Sequence, residues 1–127
     1  MRTIEDLPYS RKLVDALDPK DFPLTHKVCT DTFDGESVTF RTAKEQELDH
    51  PVAVVVFEEK TLDSVHIYSL EVHPKCQLLK NGRDLVNLFK TKYKYVDLTT
   101  LPESKIFYEK LGFTEEEDNH MVWRKLV

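Results

Sequence analysis

The sequence predicts a mixed α/β fold, in which helices flank a β-sheet. First, residues 51–59, PVAVVVFEE, form a nearly continuous apolar run, which is typical of a central strand covered on both faces. Second, apolar residues recur at helical spacing at 85–93 and 106–111. Third, strand-like segments precede, separate and follow these two helices. Because the chain has 127 residues and no repeat or linker, we expect a single domain over residues 1–127.

The first fifty residues predict one helix and one β-hairpin. The apolar residues at helical spacing are Tyr9, Leu13, Val14 and Leu17. Pro8 suits the first turn of that helix. Segments 26–33 and 37–43 alternate apolar and polar residues, and they flank Asp34-Gly35, a pair typical of a hairpin turn.

The strand predicted at 65–72 contains a break in its alternation. Its apolar residues change parity between Ile67 and Leu70. One extra residue around Tyr68-Ser69 accounts for the change, so the pattern predicts a β-bulge, and bulges often lie beside functional sites.

The strand is followed by a loop that passes through Gly82 into an amphipathic helix. Strand, loop and helix N-terminus in this order form an anion-binding arrangement, because unpaired backbone N–H groups converge there. A short strand is predicted next at 95–100, and a second helix begins at Pro102 and ends at Gly112. Two final strands are predicted at 113–118 and 121–126.

Composition restricts the class of partner and the location. The net charge of −5 argues against nucleic acid as the main partner, although it is compatible with a cationic one. No apolar run approaches the roughly 18 residues of a membrane span, and the N-terminus lacks the apolar segment of a secretory signal, so we expect no membrane partner. Cys29 and Cys76 make no disulfide framework and are expected to stay reduced, which favours a cytoplasmic protein.

Three segments of the second half resemble the GCN5-related N-acetyltransferase (GNAT) family. Residues 72–74, VHP, match the end of the family's strand before the acetyl-CoA loop. Residues 77–82, QLLKNG, match the first and last positions of the loop pattern Gln/Arg-x-x-Gly-x-Gly/Ala. Residues 107–113, FYEKLGF, match the family's late helix throughout. The resemblance covers about residues 52–127 and implies a mixed, centrally splayed sheet flanked by helices, with a shortened N-terminal part.

The resemblance implies acetyl-CoA as co-substrate, with its pyrophosphate on the backbone N–H groups from Leu78 to Arg83. The residues implied to bind it are Leu70, Val72, Gln77, Leu78, Leu79, Lys80, Asn81, Gly82 and Arg83. Leu70 and Val72 would present backbone groups to the pantetheine arm, as a sheet does to an added strand. Positive charge from Lys75, Lys80 and Arg83, with help from Lys105 and Lys110, would offset the negative net charge.

Two positions depart from the family pattern. Lys80 replaces the middle glycine of the loop, and Leu101 stands where many members have an asparagine. A glycine permits unusual φ angles and close approach of the backbone to a ligand. Lys80 therefore either hinders binding of acetyl-CoA or adds a positive charge beside its phosphates, and the sequence leaves both options open.

The resemblance also implies the groups that carry the chemistry. Tyr108 occupies the tyrosine of the late helix, whose phenol is protonated at neutral pH and suits a general acid for the leaving thiolate. His66, on the strand beside the cofactor, is the leading general base, since an unperturbed imidazole suits that task. Glu71 is the second candidate, with a structural role as its alternative. A base acting through ordered water, with no essential side chain, is a further option.

The resemblance implies that the acceptor is an amine. The acidic run 115–118, EEED, would attract a cationic acceptor, although a solvated turn is the simpler explanation of these four residues. The histidines and cysteines show no paired spacing, so we expect no metal site. Members of the family are often homodimers, so the resemblance implies that this chain could form a homodimer as well.

Three functions follow as hypotheses. The first is an N-acetyltransferase that moves an acetyl group from acetyl-CoA to a primary amine of a small molecule or protein side chain. The second is a catalytically inactive acyl-CoA-binding module that regulates a partner protein. The third is an interaction domain without cofactor.

Overall fold

A computed structural model of the protein describes residues 2–29 and 37–126. The strands are β1 (Arg2–Pro8), β2 (Val38–Glu45), β3 (Pro51–Thr61), β4 (Ser64–Val72), β5 (Tyr95–Thr99), β6 (Thr114–Glu117) and β7 (His120–Arg124). The α-helices are α1 (Arg11–Asp15), α2 (Pro23–Val28), α3 (Asn81–Lys92) and α4 (Lys105–Lys110). Short 3₁₀ helices span Pro74–Leu79 and Pro102–Ser104. None of the described helices has the length and apolarity needed to cross a bilayer.

The strands form one sheet in the order β1-β2-β3-β4-β5-β7-β6. Among the strands of the described residues, only β4 and β5 are parallel, and the other neighbouring strands are antiparallel. The mixed α/β architecture predicted from the sequence is therefore confirmed, including both final strands.

The sheet opens between its two parallel strands. Pairing of β4 with β5 runs from Ser64 opposite Tyr95 to Ile67 opposite Leu98, and within the described residues it ends there. β4 continues to Val72 and stays paired with β3 on its other side. The five residues from Tyr68 to Val72 therefore border a gap in the middle of the sheet, which is the splay that the family resemblance implied.

The break in alternation at Tyr68 is a β-bulge, as predicted. Ser69 lies opposite Val56 of β3, whereas the next pair is Ile67 opposite Phe57, so Tyr68 is the additional residue. The bulge lies where β4 separates from β5. It turns the strand at the point where the gap begins.

Helices cover both faces of the sheet, as the apolar run of β3 predicted. Val52 to Phe57 are all buried, and alternate residues contribute to two apolar cores. Val55 and Phe57 pack on the face of α3 and α4. Val54 and Val56 pack on the face of α1 and α2.

One predicted strand is wrong. Residues 26–28 belong to α2, which begins at Pro23, rather than to the first arm of a hairpin. The carboxylate of Glu71 on β4 accepts hydrogen bonds from the backbone N–H groups of Leu24 and Thr25 at the start of α2. Because this cap comes from a distant strand, local alternation gave no sign of it. The second arm is confirmed as β2, and the predicted turn at Asp34-Gly35 lies outside the described residues.

The N-terminal strand was absent from the sequence prediction. β1 is an edge strand paired only with β2, and every residue of it after Arg2 is exposed. A strand without a buried face has no apolar alternation to reveal it. Pro8 consequently ends β1, and the predicted helix begins later, at Arg11.

Candidate functional site

Two adjoining cavities occupy the gap between β4 and β5. The inner cavity, of about 350 Å³, lies among α2, the bulged part of β4 and the end of β5, and Leu24, His66, Ser69 and Leu98 are among the residues that line it. The loop groove, of about 440 Å³, lies beside the loop before α3 and is lined by Val72, Gln77, Lys80, Gly82, Arg83 and Phe107, among others. Leu70, Ser104 and Tyr108 line both, so the two cavities share a wall.

The loop groove borders the N-terminus of α3. Lys80 precedes this helix in the left-handed conformation, with φ 59° and ψ 22°. The first N–H of α3 to bond back to the loop is that of Asp84, which donates to the carbonyl of Lys80 at 3.1 Å. The amides of Asn81, Gly82 and Arg83 lie before it in the first turn, where backbone N–H groups have no carbonyl partner within the helix itself. Because residues 78 and 79 lie in a 3₁₀ helix with its own internal bonds, the free donors are fewer than the span from Leu78 to Arg83 expected from the sequence.

Gly82 lets the backbone of α3 approach β4 and α4 closely. A Cβ atom at this position would lie 3.3 Å from Cζ of Phe107 and 3.4 Å from Cγ2 of Val72. Any larger residue would push on the groove wall, so the glycine is required by packing and not by an unusual φ angle.

The positive charges around the groove differ in availability. Lys80 is exposed and Arg83 is 3.3 Å from Asp84, which partly neutralises it. Lys105, at the start of α4, forms an ion pair with Glu115 at 2.8 Å, which partly neutralises its charge. Of the cations that the sequence placed near the phosphates, Lys80 is therefore the one that lines the groove and forms no ion pair with the described residues.

The side chain of Asn81 supports the loop. It is 4% exposed, and its amide group donates to the carbonyl of Cys76 at 3.2 Å. Its Oδ1 accepts from Arg2 at 2.8 Å, which ties β1 to the start of α3. The side chain is therefore committed to structure, and only the backbone N–H of Asn81 remains for a ligand. The side chains of Leu78 and Leu79 lie outside the described part of the loop.

Tyr108 lies at the wall between the two cavities. It is 6% exposed, its ring contacts those of Phe107 and Phe113, and its hydroxyl has no hydrogen-bond partner in the described chain. Burial raises its pKa to about 12, because a phenolate loses its hydration there. The phenol therefore stays protonated at neutral pH and retains a proton to donate.

His66 belongs to a cluster of two histidines and one carboxylate. Its Nδ1 is 3.0 Å from Oδ1 of Asp97, and the second oxygen of Asp97 is 2.8 Å from Nε2 of His120. Burial would raise the pKa of Asp97, but the hydrogen bonds from both histidines outweigh it and hold this pKa below its usual range. An ionised Asp97 accepts from Nδ1–H of His66, which leaves Nε2 as the nitrogen able to take a proton.

Ser69 follows the bulge and lines the inner cavity. It is 4% exposed, and its Oγ is the one enclosed side-chain polar atom in the described residues without a hydrogen-bond partner. A buried hydroxyl without a partner costs about 1–3 kcal/mol, so this atom is a candidate for ligand contact.

Glu71, the second candidate base, has a structural role. Its carboxylate accepts hydrogen bonds from the N–H groups of Leu24 and Thr25 and from the hydroxyl of Thr25, at 2.7 to 2.9 Å. These bonds hold α2 against the sheet, where α2 lines the inner cavity.

The structure thus brings Tyr108, His66 and part of the predicted cofactor set to one gap in the sheet. Sequence reasoning missed Asp97, His120 and Ser69. Alternation in YVDLTT places Asp97 on a single face of β5, but its proximity to His66 depends on the parallel register of β4 and β5.

The acidic run 115–118 does not line either cavity, and Glu116 forms an ion pair with Arg124 on the outer hairpin. Within residues 2–29 and 37–126, no group of three or more His, Cys, Asp or Glu residues is arranged so that it could hold a metal ion.

Solved structures share this arrangement of strands and helices, whereas sequence comparison finds no relative. No protein-family model matches the chain, and no curated protein matches it significantly. Escherichia coli ElaA is 19% identical, with a TM-score of 0.63 over 99% of this chain and 100% of its own. An acetyltransferase of the GNAT family from Staphylococcus aureus Mu50 is 14% identical, with a TM-score of 0.63 over 98% and 100%. KacT in a KacTA–DNA complex is 16% identical, with a TM-score of 0.67 over 98% and 93%.

At these identities the comparisons show the fold. The chain has the GNAT acyl-CoA N-acyltransferase fold, with a splayed mixed sheet of seven strands in its described residues.

Proposed function

We propose that the protein is an N-acetyltransferase that transfers the acetyl group of acetyl-CoA to a primary amine. One observation carries the proposal: a buried phenol and an aspartate-held histidine border the same gap in the sheet, beside the N-terminus of α3. Structural neighbours named as acetyltransferases support this class of reaction.

The loop groove fits the phosphates and pantetheine arm of acetyl-CoA. Amides at the start of α3 and the helix dipole favour an anion, and Lys80 adds a positive charge. Gly82 lines the groove, and Leu70 and Val72 border it on the open side of β4. Bound acetyl-CoA supplies an acetyl group activated as a thioester.

His66 prepares the acceptor. A lysine-like ammonium with a pKa near 10.4 must lose a proton before its nitrogen can attack, at a cost of about 4–5 kcal/mol at pH 7. His66 takes this proton at Nε2, while Asp97 holds the ring through Nδ1–H and stabilises the imidazolium that forms.

Tyr108 completes the exchange of bonds. The amine nitrogen forms a bond to the acetyl carbon, and the bond from that carbon to sulfur breaks. Tyr108 donates its phenolic proton to the departing sulfur, so CoA leaves as the thiol. The nitrogen of the new amide loses its second proton through solvent to the Tyr108 oxygen, and His66 releases its proton to solvent. Both groups are thereby restored, and one proton is released overall.

Two measurements test the proposal. Acetyl-CoA should raise the melting temperature, because a ligand that binds only the folded state stabilises it. Amine-dependent release of CoA thiol should then appear with a panel of primary amines. His66→Gln should lower the rate about 100-fold, and His50→Gln, which changes a histidine outside both cavities, should leave it unchanged.

The outcomes separate the three hypotheses. Stabilisation by acetyl-CoA without thiol release for any amine would contradict catalysis and favour the inactive acyl-CoA-binding module. No stabilisation at millimolar acetyl-CoA would contradict both and favour an interaction domain.

The domain organisation, location and partners of the protein form the rest of the proposal. We propose that residues 1–127 act as one domain in the cytoplasm, where Cys29 and Cys76, both free and buried, stay reduced. The net charge of −5 supports a partner other than nucleic acid. A homodimer stays a prediction from the family resemblance.

A further inference from the structure

We propose that the acceptor is a small primary amine that also carries an anionic group such as a carboxylate, and that Lys27 and Ser69 bind it. The inference rests on the proposed function and names the substrate class of the same site. It replaces the cationic acceptor that the acidic run in the sequence suggested.

One positively charged residue, the exposed Lys27, lines the inner cavity. Leu24, Lys27 and Val28 are spaced i, i+3 and i+4, which places them on one face of α2, and all three line the cavity. Lys27 is the only Lys, Arg, Asp or Glu among the described residues that line it. The remaining wall is mainly apolar, with hydroxyl groups and His66.

Nearby carboxylates do not neutralise Lys27. Glu71 already accepts three hydrogen bonds from α2, and Asp97 is held by two histidines. Glu103 lies on the adjoining surface groove, which Lys27 also lines, but it makes no ion pair within the described chain. Within the inner cavity, a diamine or polyamine would meet one cation and no carboxylate among the described lining residues, whereas an acid group would gain an ion pair with Lys27.

Ser69 lines the inner cavity and is the second residue proposed to bind the acceptor. Its Oγ has no partner in the described chain, so the unliganded protein carries the cost of a buried, unsatisfied hydroxyl. Ser69 pairs with Val56 of β3, and His66 pairs with Glu58. Because Val56 and Glu58 are two residues apart on β3, Ser69 and His66 lie on the same face of the sheet. An acceptor whose amine faces His66 therefore has a hydrogen-bonding group within the same cavity.

The size of the cavity restricts the acceptor as well. A volume of about 350 Å³ is near the lower end of the roughly 300–1,000 Å³ typical of ligand sites. An acceptor of the size of a short amino acid would therefore fit within it.

Matched amines test the inference. The ligands are short linear primary amines of several lengths, and at each length the far end carries a carboxylate, a carboxamide or a second amine. The central set is γ-aminobutyrate, its amide and putrescine. Binding is measured by calorimetry on the CoA-saturated protein, and thiol release is measured with acetyl-CoA. The wild type should prefer a carboxylate over its matched amide by about fivefold or more, and over its diamine by a larger ratio.

Variants assign the preference to the two residues. Lys27→Met should abolish the preference and Lys27→Glu should reverse it, whereas Lys20→Met, which removes an exposed lysine away from the cavity, should leave it unchanged. Ser69→Ala should weaken acceptor binding about fivefold without lowering the melting temperature, because it removes an unsatisfied hydroxyl. A purely structural serine would lower stability instead.

Preference for diamines in the wild type, no binding of any carboxylate, or a preference that survives Lys27→Met would each overturn the inference. If amines with a carboxylate bind in a Lys27-dependent way but no thiol is released, then the class of ligand is supported. The same result would contradict acetyl transfer. Failure of the proposed function is therefore distinguishable from failure of this inference.

Discussion

Lys80 shows how a single residue combines backbone strain with a useful charge. Its φ of 59° lies in the left-handed region, where a side chain costs about 1–2 kcal/mol relative to the right-handed helix. The GNAT loop pattern has a glycine at this position, and a glycine adopts this conformation without that cost. The lysine keeps the loop geometry at some cost and points to a role for its ammonium group beside the groove.

Lys80→Gly should preserve acetyl-CoA binding and leave the free energy of unfolding unchanged or raised by up to about 1 kcal/mol, because relief of strain offsets the greater flexibility of glycine. Lys80→Ala removes the same charge but keeps Cβ, so it should be less stable than Lys80→Gly by about 1 kcal/mol. Urea unfolding and calorimetry measure both quantities. Complete loss of acetyl-CoA affinity in both variants would instead identify the ammonium group as a required phosphate ligand.

Tyr108→Phe should lower kcat about 100-fold with little change in acetyl-CoA affinity, because only the proton donor is removed. An unchanged rate would exclude Tyr108 from the mechanism. Burial raises the pKa of Tyr108 to about 12, above its usual value near 10, so the folded state binds this proton more tightly. Stability that depends on this proton is present below about pH 10 and is lost as pH rises toward 12. The phenylalanine variant should lack this alkaline loss in urea unfolding.

At the scale of elements, the inner cavity depends on a short helix held by a distant strand. α2 has six residues, too few for independent stability, and its N-terminal N–H groups are capped by Glu71 of β4. The same helix contributes Leu24, Lys27 and Val28 to the cavity wall. Loss of the cap is therefore expected to affect acceptor binding before it affects the cofactor groove.

Glu71→Ala should lower the free energy of unfolding by about 1–2 kcal/mol and raise KM for the acceptor, with acetyl-CoA affinity nearly unchanged. Glu47→Ala removes an exposed carboxylate in the β2–β3 turn and serves as the control for charge. Urea unfolding, steady-state kinetics and calorimetry provide the three readouts. Unchanged stability with lost turnover would mean that Glu71 acts in the chemistry rather than as a cap.

Gly82→Val should destabilise the contact of α3 with β4 and α4 by about 1–3 kcal/mol, because its side chain would overlap Phe107 and Val72. The same displacement should weaken acetyl-CoA binding. Asn87→Val, a β-branched substitution at another position of α3, controls for helix propensity. Equal losses in both variants would argue that close packing at Gly82 has no special role.

At the scale of the whole molecule, an acidic protein is proposed to bind a polyanion. The net charge of −5 repels acetyl-CoA over long distances, so binding relies on the helix N-terminus and on local cations near the loop. Arg2 connects the first strand to Asn81 and Asp84, so the geometry of this loop also depends on the opposite end of the chain.

Added salt should reveal this balance. Raising sodium chloride from about 0.05 to 0.5 M should weaken acetyl-CoA binding several-fold, because it shortens the screening length to a few ångströms and screens Lys75, Lys80 and Arg83. S-acetylpantetheine, which lacks the phosphates, should bind with little salt dependence. Equal salt dependence of the two ligands would contradict a phosphate site at this loop.

The sequence by itself determined those features whose physical cause is local. The apolar run of β3, the parity change at Tyr68, the helix ended by Gly112 and the loop before α3 each follow from residues a few positions apart, and each was predicted. The exposed β1 and the capped α2 were not, since the first lacks a buried face and the second depends on Glu71. The tertiary structure alone decided the cluster of His66, Asp97 and His120, the unpartnered hydroxyl of Ser69 and the position of Lys27. These arise where β4 separates from β5 and α2 packs across the gap, and such contacts between distant segments have no local signature in the chain.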